Sequence, residues 1–188
     1  MKFYLLVFLV ACALTYISVP LVRQFALATG TLAPVRERDV HQFPTPRLGG
    51  VAMGLGFLAA MGLAWHLPYL APAVNTGAGR GLLVGAALIC LLGVVDDIWD
   101  LDWYTKLAGQ VLIAGLMAYL GVQLTSFPVF GLTIGSSRLS LAVTVFVVVA
   151  AINAVNFVDG LDGLAAGMMA ISAAGLFIYS YTLAITLG

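Results

Sequence analysis

Six stretches of this chain, roughly residues 3–22, 48–67, 80–95, 107–122, 139–155 and 164–187, run almost without charge. That feature narrows the fold more than any other, because about 20 consecutive apolar residues are what an α-helix needs to cross a bilayer. The chain is 62% hydrophobic and 9% charged. A water-soluble domain carries roughly 25% charged residues, so that class is excluded. The pattern predicts an all-α, polytopic integral membrane protein with about six transmembrane helices in a single domain, residues 1–188. The third and fourth runs are short for a full span and either tilt or extend into their polar flanks. The first run follows Lys2 and has no convincing small-x-small cleavage site before Pro20, so it reads as a transmembrane helix rather than a cleaved signal. Cys12 and Cys90 lie inside apolar runs without metal-ligand spacing and are expected to be buried thiols. Between the fourth and fifth runs, QLTSFPVFGLTIGSS mixes β-branched and aromatic residues with Pro and Gly and predicts a short interfacial hairpin.

Six spans alternate sides, so the first, third and fifth loops share one membrane face. All eight acidic residues fall there: Glu37, Asp39, Asp96, Asp97, Asp100, Asp102, Asp159 and Asp162. The same face holds Arg23, Arg36, Arg38, Arg47 and Lys106, against Lys2, Arg80 and Arg138 on the other. Lysine and arginine bias sets orientation, which puts these loops in the cytoplasm, and the N-terminus and the hairpin outside. The clustered acids mark the cytoplasmic face as the working one.

Three polar segments there carry chemistry. RERDVHQFPTPRLGG contains two prolines that fix φ around Thr45, so Pro44 to Arg47 is expected to be stiff and extended. Gly49 and Gly50 then permit close backbone approach where the second helix begins. His41 and Arg47 on such a segment suit a phosphate; a positive loop that merely orients the protein accounts for them equally well. In GVVDDIWDLDWYTKLAGQ, the adjacent Asp96 and Asp97 end a membrane helix, where paired carboxylates are costly unless a cation neutralises them. Hard oxygens near phosphate recognition point to Mg²⁺, which takes one or two carboxylates plus substrate phosphates. An EF-hand is excluded by the missing turn Gly and final Glu. Asp102 reads as a helix N-cap.

In NAVNFVDGLDG, Asn153, Asn156, Asp159 and Asp162 recur every third residue. At about 100° per residue the four sweep about half a helix circumference, so an unbroken helix cannot aim them at one point. Gly160 and Gly163 predict a break near Asp159, leaving the Asn pair on a helix end and the Asp pair in the turn. Asp162 also reads as the cap of the sixth helix. Two Asn within a membrane helix need partners or a polar cavity. Cations, paired carboxylates and amides on one face form an inventory for gripping a metal-bound pyrophosphate, hence phosphoryl transfer.

HQFPTPRLGG, DDIWDLDWYTKLAGQ and NAVNFVDGLDGLAAG, in this order, resemble the polyprenyl-phosphate N-acetylhexosamine-1-phosphate transferases. The similarity is greatest to the bacterial undecaprenyl/decaprenyl-phosphate N-acetylglucosamine-1-phosphate transferase branch. The resemblance implies that a UDP-N-acetylhexosamine gives its sugar-1-phosphate to a polyprenyl phosphate lipid, releasing UMP, with Mg²⁺ as cofactor, in the bacterial cytoplasmic membrane. By motif position it implies Asp96, Asp97 and Asp159 as catalytic, the first two also as metal ligands. It implies His41, Arg47, Lys106, Asn153, Asn156 and Asp162 as substrate-binding residues. Nothing points to nucleic acid, and a homodimer stays open. Members of the family have ten or eleven spans, with a further acidic motif and a His-rich loop; this sequence supplies only His41 and His66. The expectation is therefore the N-terminal part of a longer enzyme. The alternatives are the phospho-N-acetylmuramoyl-pentapeptide branch, an inactive truncated homologue, and an ion-coupled transporter. Transporter sites usually lie near the bilayer midplane, whereas these polar groups sit at helix ends. A lipid-phosphate alcohol transferase with an Asp-Gly-Ala-Arg motif is set aside, since no Arg follows DGLDGLA at a useful distance.

Overall fold

The structure, a computed structural model, describes residues 2–33, 45–46, 48–124, 137–158 and 163–187. His41, Arg47, Asp159, Asp162 and the hairpin expected between the fourth and fifth runs lie outside the described residues. The described chain forms helices α1 (Lys2–Thr29), α2 (Gly49–His66), α3 (Ala71–Val74), α4 (Gly77–Trp99), α5 (Trp103–Tyr119), α6 (Ser137–Val158) and α7 (Leu164–Leu187). Two short strands, β1 (Leu32–Ala33) and β2 (Thr45–Pro46), pair antiparallel, Leu32 opposite Pro46 and Ala33 opposite Thr45. Thr45 and Pro46 are thus extended, as the flanking prolines require.

Among the described residues, five helices, α1, α2, α4, α6 and α7, are long and apolar enough to cross a membrane, and the chain is a multi-pass membrane protein. The fourth apolar run is α5, 17 residues long, or about 25 Å at 1.5 Å per residue, against a hydrocarbon core of about 30 Å. The third run does extend into its polar flanks: α4 spans 23 residues and takes Asp96 and Asp97 into its last turn. Helix α1 continues past Val22 to Thr29 with Pro20 inside it.

The helices stand in a row, α1 against α2, α2 against α4, α4 against α5 and α5 against α6. Lipid tails are as apolar as leucine, so association depends on close approach between small residues. That is where the buried positions fall. Ala52, Gly56, Ala60 and Ala64, at four-residue spacing, are the buried face of α2. A Cβ on Gly56 would strike Thr15 Oγ1 and lie 2.7 Å from the Ala11 carbonyl, so backbones of α1 and α2 touch there. On α4, a Cβ on Gly81 or Gly85 would meet side chains first, those of Val122 and Leu120 just past α5 for Gly81 and that of Met117 of α5 for Gly85. The large apolar side chains, such as Phe8, Leu112 and Phe146, point outward. Cys12 is exposed and Cys90 half-buried, both as free thiols, contrary to the expectation of burial. In lipid an apolar side chain is stable on either side of a helix, so an apolar run does not distinguish inside from outside.

At one end of the helices, Tyr4 of α1 packs edge-on against Phe177 and Tyr181 of α7, at centroid distances of 5.5 and 6.4 Å. Arg80 stands 6.0 Å over the Trp65 ring at the foot of α4. The connection from α5 is fastened to α6 by two buried hydroxyls: Thr144 Oγ1 accepts from the Leu124 N–H at 2.9 Å, and Ser140 Oγ donates to the Leu124 carbonyl at 2.6 Å. The opposite end gathers the start of α2, the end of α4, the start of α5 and the end of α6.

Candidate functional site

Asp96 and Asp97 sit in the last turn of α4, where the helix dipole presents its negative end and disfavours carboxylates. Consecutive helical residues point about 100° apart, and α4 lies between α5 and α2. The two side chains consequently turn to different neighbours. Asp96 Oδ2 accepts from Lys106 Nζ of α5 at 2.7 Å. Asp97 Oδ2 accepts from the Leu48 backbone N–H at 3.1 Å. The side chains of the Asp96–Lys106 pair retain 20% and 35% of their exposure, so its net stabilisation is modest, about 1 kcal/mol or less. Its consequence is orientation of both groups.

Leu48 holds a left-handed backbone, φ 73°, with its side chain buried. That conformation costs a residue with a Cβ about 1–2 kcal/mol, and here it sits directly before α2. The glycines expected to provide close approach, Gly49 and Gly50, have open space where a Cβ would stand. The close contact is made by Leu48 instead, and it ties the end of the proline-containing segment to the α4 carboxylate. Between α2 and α4 a groove of about 370 Å³ leads to Asp97, walled by Gly50, Gly54, Phe57, Cys90 and Gly93. Apart from Asp97 its walls are mainly apolar.

Asp100 ends α4 in the left-handed region, φ 49°, its N–H bonded to the Asp96 carbonyl. Asp102 is the N-cap of α5, accepting from the Thr105 N–H at 3.2 Å and the Thr105 hydroxyl at 2.7 Å. These bonds hold its carboxyl below the usual aspartate range, the side-chain bond having the larger effect.

One turn beyond Lys106 on α5 stands Gln110, 1% exposed and the largest fully buried side chain among the described residues. Its Oε1 accepts from Asn153 Nδ2 of α6 at 2.6 Å. Asn153 Nδ2 also donates to the Val149 carbonyl of its own helix at 2.8 Å. Gln110 was missed as a site residue on sequence grounds. The signal was present, since an amide in an apolar span needs a partner as much as Asn153 does.

Helix α6 ends at Val158 and α7 begins at Leu164, after Gly163 at φ 76°. Asn153 and Asn156 therefore occupy the end of α6, both exposed. The structure thus joins Asp96 to Lys106, Asp97 to Leu48 and Asn153 to Gln110. Among the described residues, no three His, Cys, Asp or Glu side chains group as a metal site. Mg²⁺ does not require such a cage: one or two carboxylates, with water and substrate phosphates, suffice. Asp96 and Asp97 fit that demand as hard oxygen donors, each carboxylate having lone-pair sites beyond a single hydrogen bond.

The sequence profile of glycosyl transferase family 4 matches residues 80–187. The decaprenyl-phosphate N-acetylglucosaminephosphotransferase of Mycobacterium tuberculosis (strain ATCC 25618 / H37Rv) is 42% identical over 180 residues, 93% of this chain and 45% of that protein. The probable undecaprenyl-phosphate N-acetylglucosaminyl 1-phosphate transferase of Bacillus subtilis (strain 168) is 30% identical over 167 residues, 87% of this chain and 44% of that protein. A phospho-N-acetylmuramoyl-pentapeptide-transferase of Desulforudis audaxviator (strain MP104C) is 36% identical over 189 residues, 88% of this chain and 56% of that protein. The chain spans about half the length of these relatives. No solved structure matches it. With a profile covering more than half its residues and relatives aligned along most of its length, the chain belongs to glycosyl transferase family 4.

Proposed function

We propose that this chain forms part of an enzyme transferring N-acetylglucosamine-1-phosphate, or a related N-acetylhexosamine-1-phosphate, from a UDP-sugar to polyprenyl phosphate. The observation that carries the reading is the treatment of the α4 carboxylates. A pair disfavoured by the helix dipole is held in place from both sides, by Lys106 and by the Leu48 N–H, and Gln110, bonded to Asn153, stands one turn beyond Lys106 on α5. The relatives' names supply the transferred group and the lipid acceptor.

In this reaction an oxygen of the lipid phosphate attacks the sugar-bearing phosphorus of the donor. A new P–O–P bridge forms, the old one breaks, and UMP departs with the bonding pair. A phosphate monoester with a second pKa of about 6 is mostly ionised at pH 7, so the attacking group needs alignment rather than deprotonation, and direct attack is favoured over a covalent intermediate. Lys106 provides a positive charge beside Asp96 for the phosphates. Asp96 and Asp97 would hold Mg²⁺, which when bound neutralises pyrophosphate charge. Asn153 and Asn156 meet the nucleotide sugar, with Asp159 and Asp162 assigned to the same region, and His41 and Arg47 to phosphate. The groove between α2 and α4 gives an apolar approach to Asp97 from the bilayer interior.

The same proposal counts α5 as a sixth span, with the N-terminus outside and the site facing the cytoplasm. The basic residues of the first and third loops support that orientation. The test is transfer of label from UDP-N-acetyl-[³H]glucosamine into butanol-extractable lipid by membranes containing the intact protein and added polyprenyl phosphate. Label released by mild acid as the sugar phosphate supports the reading; acceptor-independent label, or none, contradicts it.

A further inference from the structure

An asparagine amide offers two donors on one side and an acceptor on the other, and which side faces a ligand decides what that ligand is. At Asn153 the surroundings settle the orientation. The Val149 carbonyl, 2.8 Å away, can only accept, so the group facing it is Nδ2. The same Nδ2 lies 2.6 Å from Gln110, so the Gln110 atom it meets is the acceptor Oε1. Both protons of Nδ2 are thereby used. Turning the amide over would set Oδ1 against two acceptors at once. The Val149 carbonyl accepts whichever way Gln110 faces, so it alone fixes the Asn153 amide, and Gln110, 1% exposed, takes the second Nδ2 proton. Asn153, in contrast, is exposed, so its Oδ1 is the group presented at the end of α6.

We propose that Gln110 is a positioning residue that locks Asn153 as an acceptor-only group, and that Asn153 Oδ1 receives a hydrogen-bond donor of the nucleotide sugar. The inference rests on the proposed function and deepens it. An acceptor repels phosphate oxygens, so Asn153 meets an N–H or O–H of the base or the sugar. The pyrophosphate is left to the cationic groups such as Lys106, one turn away from Gln110 on α5. Val149 alone would use one proton and leave the other free for a phosphate; Gln110 closes that option. Gln110 acts through Asn153 and touches no substrate itself.

The experiment measures binding of UDP-N-acetylglucosamine by calorimetry, and kcat and KM, for the intact protein in lipid nanodiscs, with Gln110→Met and Gln110→Glu. The methionine variant fills the space but accepts no hydrogen bond, and is expected to weaken binding about tenfold, the scale of one lost ligand hydrogen bond, with kcat changed little. The glutamate variant still accepts from Asn153 and is expected to stay within about threefold of the unaltered protein. Equal losses in both variants, or none in the methionine variant, overturn the assignment. Two analogues locate the donor: UDP-glucose lacks the acetamido N–H, and the N3-methyl uracil analogue lacks the imide N–H. The analogue whose binding is indifferent to Gln110→Met has lost the group that Asn153 meets; sensitivity to the substitution with both analogues places that group among the sugar hydroxyls.

A second measurement needs neither variant nor ligand. This chain holds three asparagines, Asn75, Asn153 and Asn156, and selective ¹⁵N labelling of asparagine reports the Asn153 side-chain amide pair. Both Asn153 protons are expected to be protected from exchange. One freely exchanging proton overturns the role of Gln110, whatever binds. Two protected protons in a protein that binds no nucleotide sugar uphold the lock but refute both the substrate part of this inference and the proposed function.

Discussion

Replacing Gly56 by alanine tests the packing argument at a point where the structure gives a definite cost. The added Cβ meets Thr15 Oγ1 and lies 2.7 Å from the Ala11 carbonyl and 3.1 Å from the Thr15 nitrogen. Two of these three atoms are backbone, so no rotamer change relieves the contact and α1 must move off α2. Overpacking of this kind costs about 1–3 kcal/mol. Alanine also gains about 0.5–1 kcal/mol over glycine through lower chain entropy, which partly masks the clash. Gly62, on the same helix, has nothing within 4 Å of its Cβ position, so Gly62→Ala carries the gain alone. Subtracting one variant from the other removes the propensity effect, and Gly56→Ala is expected to be less stable than Gly62→Ala by about 1–3 kcal/mol. Reversible SDS-driven unfolding in mixed micelles measures it, followed by tryptophan fluorescence. Adding Thr15→Ala to Gly56→Ala recovers only part of the loss, because the Ala11 carbonyl remains. Equal stabilities for the two glycine variants would refute close approach of α1 and α2 as the basis of packing.

Thr144→Val keeps the shape of a buried side chain but leaves the Leu124 N–H without its acceptor. The expected loss is about 1–3 kcal/mol in the same unfolding assay, while Thr182→Val, on exposed α7, changes stability by less than about 0.5 kcal/mol. Asp102 is held below its ordinary pKa by Thr105, so its contribution is complete above about pH 4 and is lost as pH falls through the depressed folded value. Asp102→Asn, which accepts at every pH, is expected to remove that acid-side loss from the α5 melting profile measured by circular dichroism. Chelation with EDTA is expected to stop turnover and added Mg²⁺ to restore it, with the helical circular dichroism signal unchanged in both states.

The helices were legible because lipid imposes length and apolarity on each span. Their ends were less so. Asp96 and Asp97, expected at the end of a membrane helix, do lie in the last turn of α4, but Ile98 and Trp99 carry that helix past them, because charged groups at a helix terminus can find partners in the neighbouring elements. Arg23 to Thr29 remain helical beyond the apolar part of α1 because nothing after Pro20 breaks the backbone ladder. The four-residue α3 carries no periodic signal and was not expected. At the site, the carboxylate pair, the capping role of Asp102 and the Asn pair at a helix end could be read from residue type and spacing. Leu48 could not: a left-handed leucine arises from the partner it meets, Asp97, which is 49 residues away. Gln110 could have been found by applying to it the burial argument used for Asn153.

The central claim is that the Asp96–Asp97 pair lies at a sugar-phosphate transfer site, and UMP release tests it most directly. The intact protein, supplied with UDP-N-acetylglucosamine, polyprenyl phosphate and Mg²⁺, is compared with Asp97→Asn, which can still accept from the Leu48 N–H. UMP release that falls at least about 100-fold in the variant, a transition-state loss of about 2.7 kcal/mol, with unfolding unchanged, is the result predicted. Equal release by both proteins would contradict a role for the pair, and the absence of release from the unaltered protein would contradict the transferase reading itself.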